Sequence, residues 1–196
     1  MRVVAFNGSP HSEGNIARLI GRVFQALEQQ GIACETVQVG GRIIRGCTAC
    51  GKCAARKDGH CALPGDLLNE CIDKMTQADG ILLASPTYFA DVTSEMKALM
   101  DRAGYVLRAN GDLLRRKVGA AIVAVRRAGG IHAFDIMKHF FTISQMITVG
   151  SSYWNIGIGR EQGQVEEDDE GMQTMTTLGE NMAWLLQRIH AGTDLR

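Results

Sequence analysis

Two groups of residues in this chain have the types and spacing to do chemistry. Cys47-Thr-Ala-Cys50-Gly-Lys-Cys53, then Cys61, reads C-x2-C-x2-C-x7-C. Three thiols so spaced can wrap one iron–sulfur cubane from a single tight loop, with the fourth returning from further on. Ala49, Gly51 and Ala54 let the backbone come close, so its N–H groups could bond the cluster's sulfurs and tune its potential. Zinc is a second reading, although it prefers two separated C-x2-C knuckles; His60 could join such a site. Free thiols are a third. The other group is Asn7-Gly8-Ser9-Pro10-His11-Ser12-Glu13-Gly14-Asn15, a polar turn between an apolar run and a helical pattern. Amides of such a turn and of the following helix N-terminus point at one spot and favour negative charge there. The loop has neither Walker A spacing nor G-x-G-x-x-G. It suits one terminal phosphate, held by Ser9, Ser12 and Asn15.

The elements that must position these groups alternate. Residues 3–6 read as a strand and 16–29 as a helix with an apolar stripe, closed by Gly31 as a C-cap. A second strand covers 32–39. Residues 40–64 lack periodicity, carry four of the six cysteines and form an insertion too long for an ordinary connection. A helix over 66–75 follows, with Asp66 as its cap. Then come a buried apolar strand over 80–84, a helix over 94–107, a strand over 117–125, a helix over 131–145 and a strand over 146–150. Residues 157–170 read as a polar, acidic surface loop, and the last helix runs over about 172–190. Such alternation predicts a parallel sheet with helices on both faces. Ligands of these sheets lie beyond the carboxyl ends of the strands, where strand order reverses. Three loops reach that edge: Ser9-Pro10, Ser85-Pro86 and Arg126 to Gly130.

A chain of 196 residues with 45% hydrophobic content predicts one domain with a packed core. Zero formal net charge argues against nucleic-acid or anionic-membrane surfaces. No apolar run has the length of a membrane span and the N-terminus begins as a strand, so a cytoplasmic protein with reduced cysteines is expected. Cys34 and Cys71 fall in strand and helix patterns and read as buried small hydrophobes. His132 and His139 are assigned no role.

The chain resembles the flavodoxin-like NAD(P)H-dependent FMN reductase family, especially its iron–sulfur flavoprotein branch. The resemblance rests on Gly8-Ser9-Pro10-x-x-x-Gly14-Asn15, on Ala84-Ser85-Pro86-Thr87-Tyr88-Phe89, on Met96-Lys97-x-Leu99-x-Asp101-Arg102, and on Gly129-Gly130. It covers most of the chain to about residue 150. It implies a single α/β domain over 1–196: a flavodoxin-like three-layer sandwich whose five-stranded parallel sheet has the order 2-1-3-4-5. The cysteine-rich insertion and the C-terminal helix are additions to it.

The same resemblance implies bound FMN. Ser9, His11, Ser12, Gly14, Asn15 and Ile16 would hold the phosphate. Pro86, Thr87, Tyr88 and Phe89 would line the isoalloxazine and ribityl chain. Arg126, Arg127, Gly129 and Gly130 would reach the pyrimidine edge, where a donor or cation favours the reduced anion. Two positions depart from the family. Ile16 stands where Thr is usual and offers only its backbone N–H. His11 stands where a cation is common, which would make phosphate affinity depend on pH. Further implications are reduced NAD(P)H as donor and one [4Fe–4S] cluster on Cys47, Cys50, Cys53 and Cys61. The acceptor would be a small redox-active molecule or a ferredoxin-type protein. A homodimer or homotetramer is implied too, in which one subunit's loops cover the neighbour's flavin; residues 151–159, with Tyr153 and Trp154, are candidates for that contact. A flavodoxin-like electron carrier and a cysteine-based redox or metal sensor are the competing readings; carriers are usually acidic, and this chain is neutral.

Overall fold

Strand β1 (Arg2–Asn7) is buried from Val3 onward, since it has neighbours on both edges and helices over both faces. The computed structural model describes residues 1–193. β1 pairs in parallel with β2 (Ala33–Gln38) on one side and with β3 (Gly80–Pro86) on the other. β3 pairs with β4 (Val118–Val125), and β4 with β5 (Ile147–Thr148), giving the order β2-β1-β3-β4-β5. Strand order therefore reverses between β1 and β3, and the Ser9 and Pro86 loops leave the sheet on either side of that point.

One face is covered by α1 (Asn15–Glu28) and α6 (Asp169–Thr193), through Leu19, Val23, Leu178 and Met182. The other face carries α3 (Leu68–Gln77), α4 (Ser94–Ala109) and α5 (Gly130–Ile143), through Ile72, Met75, Leu99, Met137 and Phe141. α1 closes as its sequence suggests: Gly31 takes φ +71° and Ile32 N donates to Leu27 O at 3.2 Å, a Schellman end. A short helix, α2 (Lys52–Arg56), lies inside the cysteine insertion. Among the described residues, no helix is long and apolar enough to cross a membrane.

Among the described residues, the expected five strands become six. The chain leaves the outer edge of β4 after β5 and returns as β6 (Ile156–Ile158), which pairs with Val123 to Val125. Asn155 bridges the gap: its Nδ2 donates to Ala121 O and its carbonyl accepts from Val123 N, each at 2.9 Å. The expected surface loop over 157–170 thus contains strand, a 3-10 turn (Gln164–Glu167) and the start of α6. Gly157 and Gly159 serve packing here. A Cβ on Gly157 would sit 2.5 Å from Val165 Cγ2, and one on Gly159 2.6 Å from Val165 N.

Candidate functional site

The turn after β1 is braced from below. Buried Asn7 accepts from Ser9 N at 2.9 Å and donates to Gln38 Oε1 at 3.0 Å. Gln38 Nε2 in turn reaches Ser9 O at 2.5 Å and Gly40 O at 2.9 Å. Ser9 Oγ accepts from His11 N at 3.2 Å, and Gly14 N donates to His11 O at 3.2 Å. Gly40 is pressed against this turn: a Cβ there would lie 2.2 Å from the Ser9 carbonyl carbon. α1 then begins at Asn15 with no side-chain cap and no acidic residue in its first turn. The first-turn amides of Asn15, Ile16 and Ala17 have no intrahelical acceptor, so this end is set up for an anion.

The side chain of Asn15 does something other than the sequence suggests. Its Nδ2 donates to Gly159 O at 3.2 Å and Glu161 O at 3.0 Å, and its Oδ1 accepts from Val165 N at 3.4 Å. It ties α1 to the chain after β6, and Asn15 adds only its main-chain N–H to the open amides of the turn. The Ile16 side chain is buried in the core, leaving its backbone for the same purpose. Ser12 is exposed.

The second loop is locked to both neighbours. Thr87 N donates to Ala124 O at 2.9 Å, and Tyr88 and Asp91 exchange backbone bonds of 2.8 and 3.0 Å across a two-residue turn. Phe89 and Ala90 form that turn with φ of +46° and +64°, a strained conformation for side-chain-bearing residues. Phe89 stands fully in solvent, and Tyr88 is also exposed. Thr87 Oγ1 is buried without a hydrogen-bond partner among the described residues. In the third loop, Gly129 (φ +85°) packs 3.5 Å from Ala90 and 3.6 Å from Thr87, measured from the position of a Cβ, and starts α5, again uncapped. Arg126 and Arg127 are exposed; Arg126 borders a depression shared with Arg160, Glu161 and Gln164. The structure therefore joins the three loops, directly for the second and third and through Thr93 for the first, whose Oγ1 donates to Gly8 O at 2.9 Å.

Cys47, Cys50, Cys53 and Cys61 line one cavity of about 220 Å3, walled by Leu63, Tyr105, Val106 and Ala109. Among the described residues, no three His, Cys, Asp or Glu side chains converge closely enough to hold a single metal ion. His60 is not part of this wall; its ring meets Asp73 at 2.9 Å. The loop turns on Ala49 and Gly51, both left-handed, and Ala49 N donates to Cys47 Sγ at 3.4 Å. The Lys52 amide, helped by the Thr48 hydroxyl, holds the Cys50 thiol below its ordinary value. By contrast, burial pushes the thiols of Cys34 and Cys71 up to about 12, which suits inert residues. The donor set and the small residues around it fit a cluster that takes one thiolate per iron.

Arg102 anchors this insertion. Its guanidinium is 1% exposed, pairs with Asp66 through Nη1 and reaches Arg45 O at 3.0 Å. Asp66 also accepts from Leu68 N at 3.3 Å, but the N-cap of α3 is Leu67, not the expected Asp66, because the helix starts two residues later than its sequence suggests. Burial raises the Asp66 carboxyl, but Arg102 and the Arg45 and Leu68 amides outweigh it and leave the group below the usual range. One helix links the two regions: α4 runs from the Thr93 cap to Arg102, nine residues or about 14 Å. Sequence reasoning missed Asn7, Gln38 and Thr93, and quoted Arg102 without a role. A charged residue three positions after Leu99 on an apolar stripe was the available signal.

Strand order, layer arrangement and three converging loops define a flavodoxin-like α/β protein. Residues 1–161 match NADPH-dependent FMN reductase, and the chain belongs to that family of flavin-dependent oxidoreductases. It is 35% identical to an iron–sulfur flavoprotein of Methanocaldococcus jannaschii, over 96% of this chain and 99% of the relative. An iron–sulfur flavoprotein of Methanosarcina thermophila is 32% identical over 99% of this chain and the whole of the other. Among solved structures, RosB with bound 8-demethyl-8-formylriboflavin-5′-phosphate superposes with a TM-score of 0.76 at 17% identity, covering 97% of this chain and 81% of that one. That likeness is one of fold.

Proposed function

We propose that this protein is an FMN-dependent oxidoreductase that takes electrons from reduced NAD(P)H. It delivers them to a small acceptor, or through a [4Fe–4S] cluster on Cys47, Cys50, Cys53 and Cys61 to a ferredoxin-type partner. The observation that carries the flavin reading is Thr87 Oγ1, a buried hydroxyl without a partner. It sits in a loop fixed to Ala124, at the sheet edge where an uncapped helix end also lacks acceptors. A bound phosphorylated flavin would satisfy both.

In this reading Ser9, His11, Ser12, Gly14 and the amides of Asn15 and Ile16 hold the phosphate. Asn7, Gln38 and Gly40 keep the turn rigid. Pro86 to Phe89 would line the isoalloxazine and ribityl chain, with Thr87 Oγ1 available to bond it. Arg126, Arg127, Gly129 and Gly130 supply positive charge and open amides at its pyrimidine edge. Bound FMN supplies the chemistry, accepting a hydride and releasing electrons in pairs or singly. The protein contributes position and field, and no side chain is assigned as acid or base. Exposed Tyr153 and Trp154 support a homodimer or homotetramer in which residues 151–159 cover a neighbour's flavin.

Anaerobic protein loaded with FMN should lose its flavin absorbance band within seconds of mixing with NADPH or NADH. A flavin that binds yet stays oxidised, while a ferredoxin reductase reduces it, would return the carrier reading. Protein that fails to quench added FMN would end the flavin reading altogether.

A further inference from the structure

A buried arginine facing a cavity of thiols needs a reason. Replacing a buried ion pair by apolar side chains is often neutral or stabilising, so stability alone does not account for Arg102 and Asp66. Arg102 Nη2 donates to Cys61 Sγ at 3.3 Å and approaches Leu63 O at 3.5 Å. Its Nε is buried with no acceptor among the described residues, and the side chain lines the cavity. Cys61 is held at its other end as well: its N donates to Asn69 Oδ1 at 2.8 Å, and its O accepts from Asn69 Nδ2 at 3.0 Å. The fourth thiol of the motif is thus fixed at its backbone by one side chain and at its sulfur by a cation.

We propose that Arg102 is a positioning residue for the cluster. It presents Cys61 as the fourth ligand and donates to its sulfur a charge-assisted hydrogen bond that raises the cluster's reduction potential. This rests on the cluster reading given above. Cluster potentials are set in part by net charge and by hydrogen bonds to the sulfurs. A reduced cluster carries one more negative charge than an oxidised one, so a fixed cation on a ligand sulfur favours the reduced form. Asp66 neutralises one side of the guanidinium and orients it, which leaves Nη2 on Cys61 Sγ.

Arg102→Lys keeps the charge and loses the fork; the double variant Arg102→Gln/Asp66→Asn removes both charges together, so no buried ion is stranded. Each is purified anaerobically, assayed for iron and sulfide, and titrated with the cluster followed by EPR and the flavin by absorbance. At a fixed poise, the double variant's ratio of reduced to oxidised cluster should be about tenfold lower than wild type's, a 59 mV fall for one electron. The flavin potential should not move. Loss of one iron per cluster, with the melting point of the cluster-free protein unchanged, would equally support the assignment. Iron-loaded variants of wild-type cluster potential would overturn it while leaving the cluster reading intact. Wild-type protein without iron and sulfide would overturn the cluster reading and this inference with it.

Discussion

Thr93 and Gly8, 85 residues apart, are joined by a buried hydrogen bond of 2.9 Å from Thr93 Oγ1 to Gly8 O. The same oxygen accepts from Met96 N at 3.4 Å and caps α4, while Thr93 N donates to Ser85 Oγ at 3.0 Å. One side chain therefore sets the start of a helix and the height of the first loop above the sheet. Thr93→Val leaves Gly8 O without that donor and the helix without its cap. A loss of roughly 1–3 kcal/mol is expected in denaturant unfolding, together with weaker FMN binding.

Gly40 tests the brace beneath the first turn. Alanine there puts a methyl 2.2 Å from the Ser9 carbonyl carbon and 2.4 Å from Gly8 O, and backbone cannot step aside as a side chain can. Overpacking of this kind costs about 1–3 kcal/mol. Gly40→Ala should weaken FMN by up to roughly a hundredfold in a fluorescence-quenching titration, with far-ultraviolet circular dichroism unchanged.

Thr87→Val separates a binding role from a structural one by sign. In the empty protein the buried hydroxyl has no partner, so an isosteric valine should leave the melting point equal or higher. FMN affinity should fall by up to about tenfold, the worth of one hydrogen bond. A variant that binds FMN as tightly as wild type would remove Thr87 from the site.

Asp66 gives the insertion an acid sensitivity of known sign. Its carboxyl lies below the usual range in the folded protein, so its contribution is present in full above the unfolded value of about 3.9. That contribution is lost as pH falls through the lower folded value. Thermal melts of cluster-free protein should therefore drop between about pH 4 and the acid limit. Asp66→Asn should flatten that segment and cost about 3–5 kcal/mol at neutral pH, because Arg102 is left buried and unpaired.

The thiols should sort by environment. In cluster-free protein at pH 8, iodoacetamide should modify Cys50 first, since neighbouring donors favour its thiolate. Cys34 and Cys71, pushed up to about 12, should resist until the protein unfolds. Peptide mass mapping over a time course reads the order directly.

Parallel strands β1, β3 and β4 were legible because strands buried on both faces are written as continuous apolar runs. The β1 turn was legible as a turn because Gly8, Ser9 and Pro10 break an apolar run just before a helix start. β6 was not, since a three-residue edge strand carries no period, and its glycines are explained by Val165 and Leu19 rather than by anything nearby in sequence. Asn15 shows the same limit at one residue: its type suggested a ligand contact, and its side chain is spent on carbonyls 144 and 146 residues away.

The order of turns, stripes and thiols along the chain determined the kind of sheet, the edge where the three candidate loops lie and the four cysteines that belong together. Those features are local, set by backbone preference and by the period of burial. Which groups are left without partners was decided only by the folded packing. Thr87 Oγ1 and Arg102 Nε are orphaned by neighbours from distant segments, and the Asp66 to Cys61 geometry around Arg102 exists only once the insertion lies against α4. Hydrogen bonds saturate and act over about 3 Å, so their bookkeeping closes in three dimensions and not along the chain.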